Sequence, residues 1–230
     1  MGTATNSRAL ARSAQIEAIK KVARRLISEK SVAGLSLREV ARELGLVSSA
    51  LYRYFATRDE LLTALILDAY NDLGASVERA EAKVNRDDLY GRWMTSGRAL
   101  RRWATRNPHE YALIYGTPTP GYEAPSVTID AATRVVRVWG QILADRPTRR
   151  ATTSRDTDEE RYLEVDALSS VMPGVARSEY VRALMAWTEI FGFVSFELFG
   201  HYVGSVKDTA TAFERVLEEL GASLGIVAAT

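Results

Sequence analysis

Helical periodicity runs through almost the whole chain, and no stretch shows the strict alternation of a half-buried strand. Ile16, Ile19, Ala23, Leu26 and Ile27 recur at i, i+3, i+7, i+10 and i+11, which sets them on one helix face and turns Lys20, Arg24 and Arg25 away. Leu61, Leu62, Leu65, Ile66 and Ala69 form a second such stripe. This patterning predicts an all-α fold. With 230 residues, 47% of them hydrophobic and 26% charged, the chain is long enough for one domain or two small ones around a sizeable core, and unlike a disordered, collagenous or disulfide-stapled protein. The absence of cysteine excludes thiol nucleophiles, thiolate ligands and disulfides, and two histidines, His109 and His201, are too few for a histidine-rich metal site.

Punctuation between the stripes sets the expected helix limits. The first helix should end near Gly34. Ser36 stands three residues before Glu39 and Thr57 three before Glu60, the spacing at which hydroxyl and carboxylate reciprocally satisfy free N–H groups at a helix start. The first pair would open a short helix from Leu37 to Leu44, ended by Gly45, and the second a long helix. Between them a third helix should run from Ser48 or Ser49 to Phe55. Polar residues 83–88 would close the long helix, followed by one from Leu89 to Arg106. Asn107, Pro108 and Glu110 read as another helix start, and the prolines of 117–125 as loop. Further helices are expected at about 125–144, 159–171, 178–203 and 208–224, with a surface loop over 146–158.

Charge is unevenly spread. Through residue 60 there are eleven basic and six acidic residues, a net +5, against nineteen and twenty-three, a net −4, in the remainder. A basic head on a mildly acidic body suggests an anionic partner for the head, although charge runs are also what solvated helix faces carry. Met1 to Ser13 lacks the apolar core of a secretory signal, so a cytoplasmic protein is expected. The most apolar segment, Trp187 to Val203, is interrupted by Glu189 and Glu197 and reads as a buried helix rather than a membrane span.

Two short helices joined at Gly45, with small Ala41 where they approach, match a helix-turn-helix. Its second helix would present Ser48, Ser49, Tyr52 and Arg53 outward and anchor Ala50, Leu51 and Phe55 inward, which suits close approach to a DNA major groove. Leu51-Tyr-Arg-Tyr-Phe55 followed by Thr57-Arg-Asp-Glu-Leu-Leu62 resembles the DNA-binding domain of the TetR family of bacterial transcriptional regulators, over about residues 13–73. The resemblance implies a three-helix reading head joined by the long fourth helix to a C-terminal helical bundle over 74–230 that binds effector and dimerises, with residues 1–12 as a flexible arm. It assigns Ser36 and Arg38 to phosphates, Ser48, Ser49, Tyr52 and Tyr54 to the groove or its edge, Arg53 to a guanine or a phosphate, and Arg58 to the DNA backbone. Ser36 is equally a structural cap, Tyr54 equally a packing residue, and Arg8 and Arg12 either a solvated tail or a minor-groove arm.

The second half, from Arg101-Arg-Trp103 through Asn107-Pro-His-Glu-Tyr111 to Gly116 and on to Pro125, is similar to the C-terminal domain of the TetR subgroup named for a Trp-His-Gly motif. Trp187 and Gly192 fit that motif, whereas Phe191 stands where the subgroup has histidine. The helix at 178–203 is apolar on most of its circumference and needs two buried faces. A homodimer through the last two helices would supply the second, with Phe191, Val194, Ser195, Leu198, Phe199, Phe213, Leu217 and Leu220 as candidate interface residues. Gly192, Ser195 and Gly200 would permit close approach. Trp93, Trp103, Tyr111, Tyr115, Tyr122 and Trp139 are candidates for an effector pocket, or simply core. The chain carries no glycine-rich phosphate loop, metal-ligand spacing or nucleophile-base pair, so neither an enzyme nor a bound cofactor or metal is expected. The expected function is a homodimeric, ligand-responsive repressor that binds a palindromic double-stranded DNA operator and is released by a small, largely apolar effector. The alternatives are an effector-independent or activating regulator, or a small-molecule-binding protein or enzyme with a vestigial head.

Overall fold

From Thr3 to Ala33 the sequence holds neither glycine nor proline, and its first half is rich in alanine, the best helix former. In the computed structural model, which describes residues 2–147 and 161–228, helix α1 accordingly runs Gly2–Lys30. Residues 2–12, expected as a flexible arm, are the opening turns of this helix. Residues 6–14 are exposed. The helix stops at Ser31, whose φ of 67° leaves the helical region, and a 3₁₀ turn at Val32–Gly34 follows. Next come α2 (Leu37–Glu43), α3 (Ser48–Leu51) and α4 (Arg58–Glu81). The remaining helices are α5 (Leu89–Arg106), α6 (Pro108–Tyr115), α7 (Thr128–Ala132), α8 (Arg134–Ala144), α9 (Val165–Val171), α10 (Tyr180–Leu198) and α11 (Thr209–Ser223). Among the described residues there is no strand.

The chain separates into two compact units, one of residues 1–69 and 109–129, the other of 70–108 and 130–230. The first has a core of Ile19, Ala23, Leu26, Val40, Leu51 and Leu61 with their neighbours. Leu113 of α6 packs against that core, and the hydroxyls of Thr63 and Tyr122 share a hydrogen bond at 2.9 Å, which is why 109–129 belong with the head.

In the second unit α5 supplies the central stripe. Trp93 donates its indole N–H to the Leu217 carbonyl at 2.8 Å, and Trp139 of α8 donates to Ser96 Oγ at 2.9 Å, so two large aromatics are buried without an orphaned donor. Gly97 lets α11 close in: a Cβ there would lie 2.5 Å from Leu217 Cδ2. Buried Arg92 is held by Glu81 at 2.6 Å and Asp145 at 2.8 Å. Burial alone would push its pKa down, but the two carboxylates outweigh that and push it up.

Several expected limits shift for local reasons. The helix expected over 125–144 is divided at Thr133, whose Oγ1 donates to the Asp130 carbonyl at 3.1 Å and so offers the backbone an alternative to the helix. The helix expected to reach 203 ends at Leu198. Gly200, with φ 79°, takes the left-handed position, and His201 N–H returns to the Phe196 carbonyl at 2.9 Å. Helix α9 begins at Val165, and residues 148–160 of the expected loop and following helix lie outside the described residues.

Candidate nucleic-acid interface

The turn between α2 and α3 is fixed by its own residues. Gly45 has a φ of 65°, a conformation that costs glycine least. Leu46 N–H donates to the Ala41 carbonyl at 2.9 Å and Gly45 N–H to Arg42 at 3.1 Å, a complete Schellman stop. The chain leaves in extended form and α3 opens at Ser48, with Leu51 fully buried. Its other sides therefore face solvent: Ser48, Ser49 and Arg53 are exposed, Tyr52 is 46% exposed, and Val47 is 71% exposed. Helix α3 is shorter than expected, since residues 52–54 continue as turns rather than α-helix.

The head's charges divide into those already paired and those left outward. Lys20 meets Asp68 at 2.9 Å and Glu17 at 2.5 Å, and Arg24 meets the same Asp68. Burial pushes the Lys20 ammonium down, but hydrogen bonds to Asp68 and Glu17 outweigh it and the net shift is up. Arg25 binds Glu29 and Glu43. Lys30 and Arg42 share Glu39, whose carboxyl is held below its usual range chiefly by the Lys30 hydrogen bond. Arg38 and Arg53, both exposed, have no ion-pair partner among the described residues. These two guanidiniums flank the outward side of α3 in chain order, one on α2 and one just after α3, and each presents donors suited to phosphate or to a guanine edge.

Of three other expected residues, Tyr54 and Arg58 are engaged with the protein itself and Ser36 is not. Ser36 is half-buried in extended backbone and makes no side-chain cap hydrogen bond, and the Glu39 carboxylate that would complete the box is bound by Lys30 and Arg42. The second box does form: Glu60 N–H donates to Thr57 Oγ1 at 3.1 Å, and the Glu60 carboxylate accepts from Ala56 N–H at 2.7 Å. Tyr54 packs against the head core, with the Arg12 guanidinium 5.2 Å from its ring centre. Arg58 donates to the carbonyls of Val32 at 2.8 Å and Leu35 at 3.1 Å, joining the start of α4 to the loop after α1. Val47, which the sequence does not single out, is the apolar group most openly presented beside α3. A methyl-bearing surface of this kind can meet thymine.

The six candidate pocket aromatics divide between the units. Trp93 and Trp139 fill the core of the second, with ring centres 5.6 Å apart, and Trp103 of the same unit donates to Asp72 at 2.7 Å and lines a cleft of about 380 Å³. Tyr111, Tyr115 and Tyr122 belong to the first unit. There Tyr111 is buried, and Tyr122 lines an open cleft of about 460 Å³ with Tyr54, Glu60 and Thr63. Of the eight candidate interface residues, Phe191, Val194, Phe213, Leu217 and Leu220 are buried inside the chain's own core, Ser195 and Leu198 are half-buried, and Phe199 is exposed. Phe191, in the place of the motif histidine, packs between Trp139 and Trp187. The face of α10 that the chain leaves uncovered carries Leu184, Met185 and Phe196 as well, and Gly192 has open space before it.

Residues 19–65 match the family model for bacterial regulatory proteins of the tetR family, and residues 93–220 match the tetracyclin repressor-like C-terminal domain. The HTH-type transcriptional regulators Rv1816 of Mycobacterium tuberculosis and Mb1846 of Mycobacterium bovis are each 39% identical over 200 residues, covering 82% of this chain and 82% of theirs. The crystal structure of regulatory protein SCO4313 superposes with a TM-score of 0.72 at 34% identity, covering 91% of this chain and 96% of that one. The TetR family regulator PfmR of Thermus thermophilus shares the fold at a TM-score of 0.55 and 18% identity, covering 93% of this chain and 97% of its own. With an outward-facing recognition helix beside two unpaired arginines, and with relatives of this kind over most of its length, the chain belongs to the TetR family of helix-turn-helix transcriptional regulators.

Proposed function

We propose that this regulator is a ligand-responsive repressor that acts in the cytoplasm as a homodimer on a palindromic operator. The observation that carries the DNA contact is the pair Arg38 and Arg53, exposed and without an ion-pair partner among the described residues, one on α2 and one just after α3. Arg53, Tyr52, Ser48 and Ser49 reach the groove, with Val47 against a thymine methyl, and Arg38 meets a phosphate, with Ser36 beside it. Tyr54 packs on the head core and Arg58 ties the start of α4 to the loop after α1, so both hold the head together. Repression relieved by a ligand is supported by the match of 93–220 to a tetracyclin repressor-like domain. An effector that favours a conformation unable to bind DNA by about 1.4 kcal/mol lowers operator affinity tenfold.

Arg53→Ala with Tyr52→Ala tests the assignment. Gel-shift titration on the DNA flanking the gene should show specific binding lost, a drop of at least about 100-fold, while the thermal unfolding midpoint stays within about 2 °C of wild type. Full operator affinity in the double variant would overturn the role of α3.

A further inference from the structure

The second unit holds a cleft whose chemistry differs from the apolar pocket that the aromatic content suggests. It lies between the last turns of α4 and the second half of α5, encloses about 380 Å³ and is lined by Arg79, Lys83, Arg102 and Arg106, with Ser76 and Asn107. Asp72 also borders it, but that carboxylate accepts the Trp103 indole N–H at 2.7 Å. Ala80 and Ala99 keep the floor shallow and open. Arg79 and Lys83 are spaced i,i+4, as are Arg102 and Arg106, so each wall carries a pair of like charges.

None of the four cations has an ion-pair partner among the described residues. Most arginines of this unit behave otherwise: Arg86, Arg92, Arg98, Arg101, Arg134, Arg137, Arg146 and Arg215 each meet a carboxylate. Of the described cations of this unit that meet no carboxylate, four converge on this one concavity, while Arg182 and Lys207 stand elsewhere. Convergent positive charge in a recess focuses potential on whatever enters, and guanidiniums on two walls can each grip an oxyanion in bidentate fashion. A monoanion would engage one wall only.

We propose that this α4–α5 cleft is a binding site for a small polyanion carrying at least two phosphate or carboxylate groups. The cleft is large enough for a metabolite-sized ligand. The site stands whether or not its occupant controls DNA binding, so it is tested on the full chain without DNA. Isothermal titration calorimetry with inorganic pyrophosphate, and separately with citrate, at an ionic strength matched with KCl, should show saturable binding of one anion per protomer. Pyrophosphate alone binding assigns the site to phosphates, and citrate alone assigns it to carboxylates. Arg102→Gln with Arg106→Gln should weaken binding by at least about tenfold. Ala80→Glu, which adds a carboxylate to the cleft wall at a position that favours helix, should weaken it likewise. Arg215→Gln, on α11, should bind as wild type does, and circular dichroism melting should show all variants folded. If neither probe binds more tightly than in the KCl control, or if the cleft variants bind as tightly as wild type because the anion sits on the head's cations, the proposal is overturned.

Discussion

The guanidinium of Arg58 donates to the carbonyls of Val32 and Leu35, and with a side chain only 30% exposed it is a structural clamp within the head. Removing it takes a donor from each of two carbonyls, of which Val32 keeps the Leu35 N–H, and loosens the loop after α1. Arg58→Ala should therefore cost about 1–3 kcal/mol of stability, read by urea unfolding, and weaken DNA binding only in proportion to the folded fraction lost. Unchanged stability together with weakened operator binding would instead make Arg58 a phosphate contact. Arg53, five positions earlier, carries the same group and has no ion-pair partner among the described residues. Residue type and family position mark both as DNA contacts. Which charge is already committed depends on Val32 and Leu35, brought in by the fold from 26 and 23 residues away. Arg38 and Arg53 as outward cations were legible, because α3 buries Leu51 and must then expose what surrounds it.

At the scale of elements, helix ends were legible where the stop is local and obscured where a distant group intervenes. Gly45 and its Schellman bonds use only the residues of the turn. The carboxylate half of the Ser36 box is pre-empted by Lys30, on a different helix, which takes the Glu39 carboxylate. Gly200 was read for close packing rather than as a stop, although both readings rest on the missing Cβ. A comparable long-range commitment joins three helices of the second unit: Glu197 of α10 accepts from Arg101 of α5 at 2.7 Å and from Thr209 of α11 at 2.6 Å. Burial pushes the Glu197 carboxyl up, but the Arg101 and Thr209 hydrogen bonds outweigh it and hold it below its ordinary value of 4.5. A carboxyl depressed on folding contributes stability that is present above about pH 4.5, its unfolded value, and is lost as pH falls through the folded one. Glu197→Gln should cost about 1–3 kcal/mol at pH 7, and that deficit should shrink as the pH is lowered from 5 to 3, giving a shallower acid limb in thermal unfolding. A deficit constant across that range would show that the ion pair carries no linked stability.

For the whole molecule the question is what covers the outer face of α10. Leu184, Met185, Phe196 and Phe199 are exposed and lie at i, i+1, i+12 and i+15, which spreads them over about a third of the helix circumference, with Phe199 as the C-cap residue. Apolar surface of this extent on one helix is uncommon in a monomer. The sequence showed that this helix needs two buried faces, but it could not say which residues the chain would bury for itself. Phe191 and Val194 turn out to serve the chain's own core, and the free face is rotated from the expected one. A second copy docking here in a twofold arrangement would bury the face on both protomers and give the assembly two heads, matching a palindromic site. The near-neutral total charge of +1 is compatible with DNA binding on these terms, because the positive excess is concentrated in the head and presented twice. Met185→Glu with Phe196→Glu places two carboxylates per protomer in that face while leaving the buried side of α10 intact. Sedimentation velocity should then find the wild type dimeric at micromolar concentration and the variant monomeric with a retained helical spectrum. Operator affinity should fall by at least about 100-fold, since each monomer then reads one half-site without the effective concentration supplied by its partner. A variant that remains dimeric would place the interface elsewhere, and a wild type that is monomeric yet binds its operator with full affinity would remove the dimer from the reading altogether.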